Sequence, residues 1–132
     1  MKFVLYGNPI PLARHRTANG RTYDPQKALK NGLHWDLLAQ APKCKSLSGP
    51  LELHITFFMP IPKSLSSKKY DALLLTPHYK KPDLSNLIKF YEDICNGLIY
   101  KDDAQIVSIS AKKLYDSEPR TEFKLTEITI GK

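Results

Sequence analysis

The sequence predicts an α/β fold of the α+β kind, with helices packed on a small mixed β-sheet. Two observations predict it. Strand-like and helix-like segments alternate along the chain in the order β, α, β, short α, α, β, β. The last two strands are separated only by turn residues 117–120, which predicts a C-terminal β-hairpin and argues against a doubly wound parallel sheet. A length of 132 residues is typical of one domain, so residues 1–132 are expected to form one.

Four segments are predicted to be strands. Apolar and polar residues alternate along the longer ones, which is the pattern of a strand with one buried face. In the last strand the apolar set changes parity between Leu125 and Ile128, which predicts a bulge or a frayed end there. The predicted strands cover residues 2–6, 51–59, 104–115 and 121–130.

Three segments are predicted to be helices. Asp24 and Pro25 form a typical helix start, as N-cap and first helical residue, and Leu29, Leu33 and Leu37 fall on one stripe. The clearest helix begins at Asp83, and its apolar residues recur at spacings of three and four. The predicted helices cover residues 24–40, 64–74 with Ser64 or Ser66 as the cap, and 83–95; loops or linkers cover 12–23, 42–50 and 76–82.

Charge and cysteine content limit the classes of function. A net charge of +7 attracts polyanions and favours nucleic acid as a partner. No segment approaches the roughly 20 apolar residues of a membrane span, and none has the pattern of a signal peptide, so we expect a cytoplasmic protein that does not bind membranes. Cys44 and Cys95 are too few for a disulfide framework or a zinc site and are expected to be idle thiols.

The segment KKPDLSNLIK, residues 80–89, and the pair Asp102-Asp103 carry the predicted chemistry. Carboxylates offer Mg²⁺ the oxygen ligands that it prefers, and Lys89 offers a positive charge for a phosphate. We expect Asp83 and Asp103 to meet if the helix packs antiparallel to the neighbours of the strand that follows Asp103.

Strand parity separates the two aspartates of the pair. If the strand continues through it, Asp103 shares the inward face of Val107 and Ile109, whereas Asp102 points outward. Asp103 is therefore the favoured ligand of the two.

Each of these residues also has a purely structural interpretation. Asp83 is accounted for as a helix N-cap, and the Asp-Asp pair as an exposed turn. Lys89 is four residues from Asp93, so the two could form an ion pair on the helix surface.

Basic residues in two loops are candidates for contact with a phosphate backbone. The alternative is that both loops are simply solvated. The candidates are Arg14, Arg16 and Arg21 in the first loop and Lys80 and Lys81 in the second.

Together these residues resemble the RusA family of Holliday junction resolvases. The opening of the chain and the order of the elements are similar to that family as well. The resemblance is carried by Lys81-Pro82-Asp83-Leu84, Asn86-Leu87, Lys89, Asn96-Gly97 and Asp102-Asp103-Ala104-Gln105-Ile106, and by Pro9, Pro11, Arg14, Arg16 and Gly20-Arg21-Thr22-Tyr23 near the start.

The resemblance implies a homodimer that binds four-way DNA junctions and nicks them with Mg²⁺ during recombination and repair. By position it assigns Asp83 and Asp103 as metal-binding carboxylates and Lys89 as the catalytic lysine. Asp102 and Ser85 are further candidate ligands. Genes of this family often lie in prophages, which implies a phage-derived origin.

The sequence departs from the family at Ser85, where the motif usually has a second aspartate. A serine hydroxyl is neutral and is a weaker ligand for Mg²⁺ than a carboxylate. Either Asp83 and Asp103 suffice, or Asp102 or another nearby carboxylate compensates, or the protein binds junctions without cutting them. An interpretation from a different class is a basic interaction protein without nuclease activity.

Overall fold

The computed structural model describes residues 1–41 and 46–130, so Cys44 lies outside the described residues. A short 3₁₀ turn, Asp103–Gln105, leads into the fifth strand. The helices and strands are β1 (Lys2–Tyr6), β2 (Arg16–Ala18), β3 (Arg21–Tyr23), α1 (Lys27–Gln40), β4 (Leu51–Pro60), α2 (Ser67–Leu73), α3 (Leu84–Cys95), β5 (Ile106–Asp116) and β6 (Arg120–Glu127).

The main sheet has the strand order β1-β6-β4-β5, in which only β4 and β5 are parallel. This mixed sheet with helices packed on it confirms the predicted α+β class. As predicted, β5 and β6 are consecutive, run in opposite directions and are joined by a short turn. The turn crosses the end of β4, however, so both strands pair with β4 rather than with each other. The most apolar strand thereby takes a central position in the sheet.

One face of the sheet carries the hydrophobic core. Alternate residues of β4, from Leu51 to Met59, are buried on this face. The covering helix α3 contributes five buried residues, which recur at spacings of one, three and four and so form one helix face. They are Leu87, Phe90, Tyr91, Ile94 and Cys95.

The first half of the chain corrects three predictions. Helix α1 begins at Lys27 because Asp24 instead accepts a hydrogen bond from the Gln26 backbone N–H, 2.9 Å long. The predicted loop over 12–23 contains the hairpin β2–β3, whose turn residues Asn19 and Gly20 both have positive φ. Asn-Gly is the strongest short signal for such a turn and could have predicted it. Leu29 is exposed, so the predicted apolar stripe of α1 is wrong in its first turn.

Two details of the other elements are confirmed. The Ser66 hydroxyl caps α2 by accepting a hydrogen bond from the Lys69 backbone N–H. Strand β6 ends at Glu127, so the parity change before Ile128 marks a frayed end rather than a bulge.

Strand β5 corrects the parity argument. Val107 is 62% exposed and Ile109 45% exposed, although both were predicted to be buried under a helix. The reason is that β5 lies at the edge of the sheet, and a shift in register opposite Leu51 and Glu52 leaves Val107 without a partner on β4. Among the described residues, its outer edge is met only near its end, where the His78 backbone N–H donates to the Lys113 carbonyl and Pro77 bridges to Leu114. Residues 106–112 of that edge have no neighbouring strand in the described part of the chain.

A nearly buried ion pair network ties α1 to α3. Lys30 is only 8% exposed, and its ammonium lies 2.6 Å from a carboxylate oxygen of Asp24 and 2.6 Å from one of Asp93. A buried charge is tolerated when it is paired in this way. Lys30 thus joins the end of the β2–β3 hairpin to the last turns of α3.

Across residues 1–41 and 46–130, no helix combines the length and apolar character that crossing a bilayer requires.

Two leucines of α1 provide a matched test of the core. Leu37 is fully buried, whereas Leu29 is 44% exposed. We expect Leu37→Ala to lower the free energy of unfolding by about 2–5 kcal/mol, because it removes buried methyl groups and leaves a cavity. Leu29→Ala should change it by less than about 1 kcal/mol. Urea unfolding measures both, and equal losses would contradict this orientation of α1.

Candidate metal and phosphate site

The N-terminal end of α3 presents Asp83. Its backbone occupies the N-cap position, but its side chain accepts no capping hydrogen bond. Instead the carboxylate receives a 2.7 Å hydrogen bond from the Lys81 ammonium, which lowers the pKa of Asp83. The side chain is exposed. Helix capping therefore does not account for this carboxylate.

Lys113 of β5 fixes how the chain enters α3. Its ammonium donates 2.6 Å hydrogen bonds to the carbonyls of Lys80 and Pro82. Burial lowers the pKa of Lys113, and the charge of Asp83 opposes that shift. Asp83 is thus held next to the end of β5.

The other end of α3 faces the Asp102-Asp103 pair. The Asp102 side chain accepts a 3.1 Å hydrogen bond from the Ala104 backbone N–H, and the Gln105 side chain accepts from the Asp102 N–H in return. This capping box accounts for Asp102 structurally. Asp103 belongs to the 3₁₀ turn rather than to a strand, so the parity argument does not apply to it.

Asp103 is nevertheless the inward member of the pair. It is half-buried, and its Oδ1 has no hydrogen-bond partner among the described residues. Burial raises the pKa of Asp103, and the charges of Asp102 and Asp93 add to the rise against an opposing effect of the Tyr100 hydroxyl. A buried oxygen without a partner is costly and suggests a ligand that supplies positive charge.

Glu92 is a candidate that the sequence reasoning missed. Burial raises its pKa, the charge of Asp103 raises it further, and the charge of Lys89 lowers it. Lys89 is exposed on the same face of α3, one turn before Glu92. The three-residue spacing between Lys89 and Glu92 is the signal that could have identified it. The alternative interpretation of Lys89 as an ion-pair partner of Asp93 is not supported, because Asp93 binds Lys30 at 2.6 Å.

Helix α3 separates Asp83 from Asp103 within one chain. The helix has 12 residues, and 1.5 Å per residue makes it roughly 18 Å long. It runs antiparallel to β5, which places Asp83 near the end of that strand and Asp103 before its start. The expected approach of the two carboxylates in one chain is therefore wrong. Within the described residues of a single chain, no three acidic, histidine or cysteine side chains gather as metal ligands.

The candidate arginines surround the β2–β3 hairpin. The register pairs Arg16 with Tyr23 and Ala18 with Arg21, so Arg16, Arg21 and Tyr23 share one exposed face. Arg14 is exposed just before β2.

Two amide side chains anchor this hairpin to the helices. Asn86 of α3 donates a 3.1 Å hydrogen bond to the Leu12 carbonyl. Gln26 accepts from the Ala13 N–H at 2.9 Å and donates to the Pro11 carbonyl at 3.0 Å. The segment that carries the arginines is therefore fixed beside the first turn of α3.

Lys80 and Lys81 are exposed at the same end of the helix as Asp83. The Lys81 ammonium is bound to Asp83, so it partly neutralises that carboxylate. This end of α3 is cationic around one acidic group, whereas the other end is acidic.

Comparisons with known proteins find similar sequences. The sequence profile of the family described as Endodeoxyribonuclease RusA matches residues 7–126. An uncharacterized protein of Bacillus subtilis, YqaN, is 34% identical over 139 residues, which cover 98% of this chain and 97% of that protein. A protein of Lactococcus phage r1t named crossover junction endodeoxyribonuclease rusA is 33% identical over 108 residues, which cover 80% of this chain and 77% of the phage protein.

Glu92→Gln should stabilise the protein at neutral pH. Because the pKa of Glu92 is raised in the folded state, its charge opposes folding at a pH above that raised value. The gain in the free energy of unfolding, measured with urea in a chelator, should shrink as the pH falls towards 4.5, the ordinary pKa of glutamate. Glu118→Gln, at an exposed turn residue, is the matched control and should show no such gain. A Glu92→Gln protein less stable than wild type at pH 7 would contradict the raised pKa of Glu92 in the folded state.

Proposed function

Because this chain belongs to the RusA family of endodeoxyribonucleases, we propose that it is a structure-specific endonuclease that binds four-way DNA junctions and nicks them with Mg²⁺. The observation that carries the proposal is the half-buried Asp103, whose Oδ1 has no hydrogen-bond partner among the described residues and whose charge raises the pKa of Glu92 beside it. Such a carboxylate suits a site that is completed by a metal ion and a phosphate.

The arrangement of basic residues supports DNA as the substrate. Arg16 and Arg21 lie on one face of a hairpin that is anchored beside α3, and Arg14 flanks it. Lys80 and Lys81 add positive charge next to Asp83. Side chains of this kind position a nucleic acid by its phosphates and not by its sequence.

The donor set fits Mg²⁺, which takes oxygen ligands and retains several waters. Asp83 and Asp103 are the proposed ligands, and Glu92 is a third. When bound, Mg²⁺ would offset charge on the phosphodiester and lower the pKa of a bound water. Lys89 is exposed on the same face of α3 as Glu92, and we propose that it contacts the phosphate at which the strand is cut.

A homodimer would unite the two ends of the site. If two copies pair along the free edge of β5 in antiparallel fashion, centred on Ser108 or Ile109, then Asp103 of one chain faces the end of the other β5. The partner's Asp83 is held near that end. We therefore propose that each site takes Asp83 from one chain and Asp103 from the other.

The edge of β5 is suited to pair with a second copy. Its start is acidic, at Asp102 and Asp103, and its other end is basic, at Lys112 and Lys113, so antiparallel pairing sets opposite charges side by side. Val107 and Ile109 would lose their exposure at the centre. Two sites related by a two-fold axis would suit a four-way junction, which can itself be two-fold symmetric.

Complementation between inactive variants tests the shared site. Asp83→Asn and Asp103→Asn should each abolish nicking of a four-way junction, and heterodimers of the two should regain it. A heterodimer has one site with both aspartates and one with neither. If chains assort randomly, roughly a quarter of the wild-type number of sites is restored.

The control mixes Asp103→Asn with a variant that carries both substitutions, because no site in that heterodimer has both aspartates. Heterodimers should first be demonstrated by native mass spectrometry. If they form and the mixture of single variants still does not nick, Asp83 and Asp103 do not share a site across chains.

Ser85→Asp tests the departure from the family motif. Ser85 is exposed in the first turn of α3, two residues after Asp83, so an added carboxylate there raises the negative charge of the site. We expect the Mg²⁺ concentration for half-maximal nicking to fall roughly tenfold. Stabilisation by Mg²⁺ in thermal melting should increase as well. Ser64→Asp, in an exposed loop, is the matched control and should change neither.

The same assay distinguishes the endonuclease from a second candidate function. The neutral Ser85 favours a protein that binds junctions without cutting them. Junction binding by the wild type without nicking, together with nicking by Ser85→Asp, would establish this function and replace the endonuclease. Reduced nicking by a folded Ser85→Asp variant would show that serine is adapted to the site.

A further inference from the structure

An open groove of about 690 Å³ lies between α2 and the loop that precedes α3. Its floor and walls are mostly apolar, from Leu65, Leu73 and Pro77, with Tyr115 of β5 at its inner end. Tyr79 stands at its rim and is 87% exposed. We refer to it as the Tyr79 groove. Its volume is in the range of small-molecule sites, which is about 300–1,000 Å³.

The loop that carries Tyr79 is firmly attached to the end of β5. The Leu75 N–H donates to the Tyr115 carbonyl at 2.7 Å, and the Tyr115 N–H donates to the Thr76 carbonyl at 3.0 Å. The His78 ring packs on the Tyr115 ring with centroids 4.7 Å apart. Tyr79 is therefore an exposed aromatic ring on a fixed backbone. Because the loop is already ordered, stacking of a ligand on this ring costs little conformational entropy.

The charges around the groove select an anionic ligand. Lys69 and Lys80 line its rim, and none of the described residues that line it is acidic. The Lys80 carbonyl accepts a 2.6 Å hydrogen bond from Lys113, whose ammonium also holds Pro82. The groove therefore opens within a few residues of Asp83, on the same end of α3.

We propose that the Tyr79 groove binds one unpaired nucleobase of the DNA strand that passes Asp83. The base would stack on the Tyr79 ring, and Lys69 and Lys80 would contact the flanking phosphates. Aromatic rings beside cationic side chains bind bases in this manner without reading their sequence. The inference rests on the proposed function, and it adds that the protein recognises a junction partly through a base that has left its pair.

Charge favours this occupant over a protein segment. An apolar helix or a second copy of this chain would bury Lys69 and Lys80 against apolar groups, which is costly for unpaired charges. A DNA strand supplies a flat ring for the apolar part and phosphates for the two lysines.

Photocrosslinking tests the contact directly. The probe is a four-way junction with one unpaired 5-iododeoxyuridine next to the branch point, and the reference probe has the same nucleotide paired within duplex arms. The unpaired probe should crosslink to Tyr79, as mapped by mass spectrometry, and the paired probe should not. Tyr79→Leu should abolish the crosslink, whereas Tyr79→Phe should keep it.

Affinity provides a second readout. Tyr79→Ala should weaken binding of the unpaired probe about tenfold, because stacking of one base on an aromatic ring is lost. Binding of fully paired duplex should be unchanged. Tyr6→Ala, at another exposed tyrosine on the far strand β1, is the matched control and should change neither. Thermal melting verifies that each variant folds.

The proposal is overturned if Tyr79→Ala weakens paired and unpaired DNA equally, or if the crosslink maps elsewhere. It is also overturned if Tyr79→Ala changes the oligomeric state but not DNA binding, since the groove would then hold a second copy. In these cases the wild type still prefers junctions and the proposed function stands. A wild type that does not bind junctions would contradict both proposals.

Discussion

The packing of α3 on the sheet, antiparallel to β4 and β5, is the constraint on which the other features depend. The buried face of α3, from Leu87 to Cys95, fixes the rotation of the helix about its axis. That rotation turns Ser85 and Lys89 outward and leaves Glu92 half-buried beside Asp103. The direction of α3 then assigns Asp83 to one end of β5 and Asp103 to the other. The β2–β3 hairpin is positioned by the same helix, because Asn86 of α3 binds the Leu12 carbonyl in the segment that leads to the hairpin.

Local signals in the sequence predicted the elements and most of the candidate residues, but not how those residues meet. The start of α3 at Asp83 and the cap at Ser66 follow from short patterns that act within a few residues. The separation of Asp83 from Asp103 depends on the direction of α3 relative to β5, which no local pattern encodes. Likewise, the exposure of Val107 follows from the position of β5 at the sheet edge, and strand order is a long-range property. Two local signals could have predicted more: the Asn19-Gly20 pair indicates the β2–β3 hairpin, and the spacing of Lys89 and Glu92 indicates Glu92 as a candidate.

Several partly buried charges elsewhere in the fold have close partners of opposite charge, whereas Asp103 in the candidate site lies among charges of its own sign. Arg120 lies 2.7 Å from Asp116 and 2.6 Å from Glu122, and Lys30 is held between two aspartates in the same way. In these places each charge that is withdrawn from water has a counter-charge, as stability requires. Asp103 is withdrawn from water next to further negative charge. Binding of a cation at Asp103 would offset the cost of burying that charge.

The proposed dimer offers a way for a site with one aspartate fewer to hold a metal. In the proposed dimer, Ser85 belongs to the half of the site that carries Asp83, so the loss of negative charge falls on that half. Asp102 cannot easily compensate, because its side chain caps the 3₁₀ turn before β5. Glu92 lies in the other half, its pKa raised by the charge of Asp103, and a cation would relieve that repulsion. Glu92 is therefore the carboxylate best suited to replace the missing aspartate, and it would do so from the opposite chain.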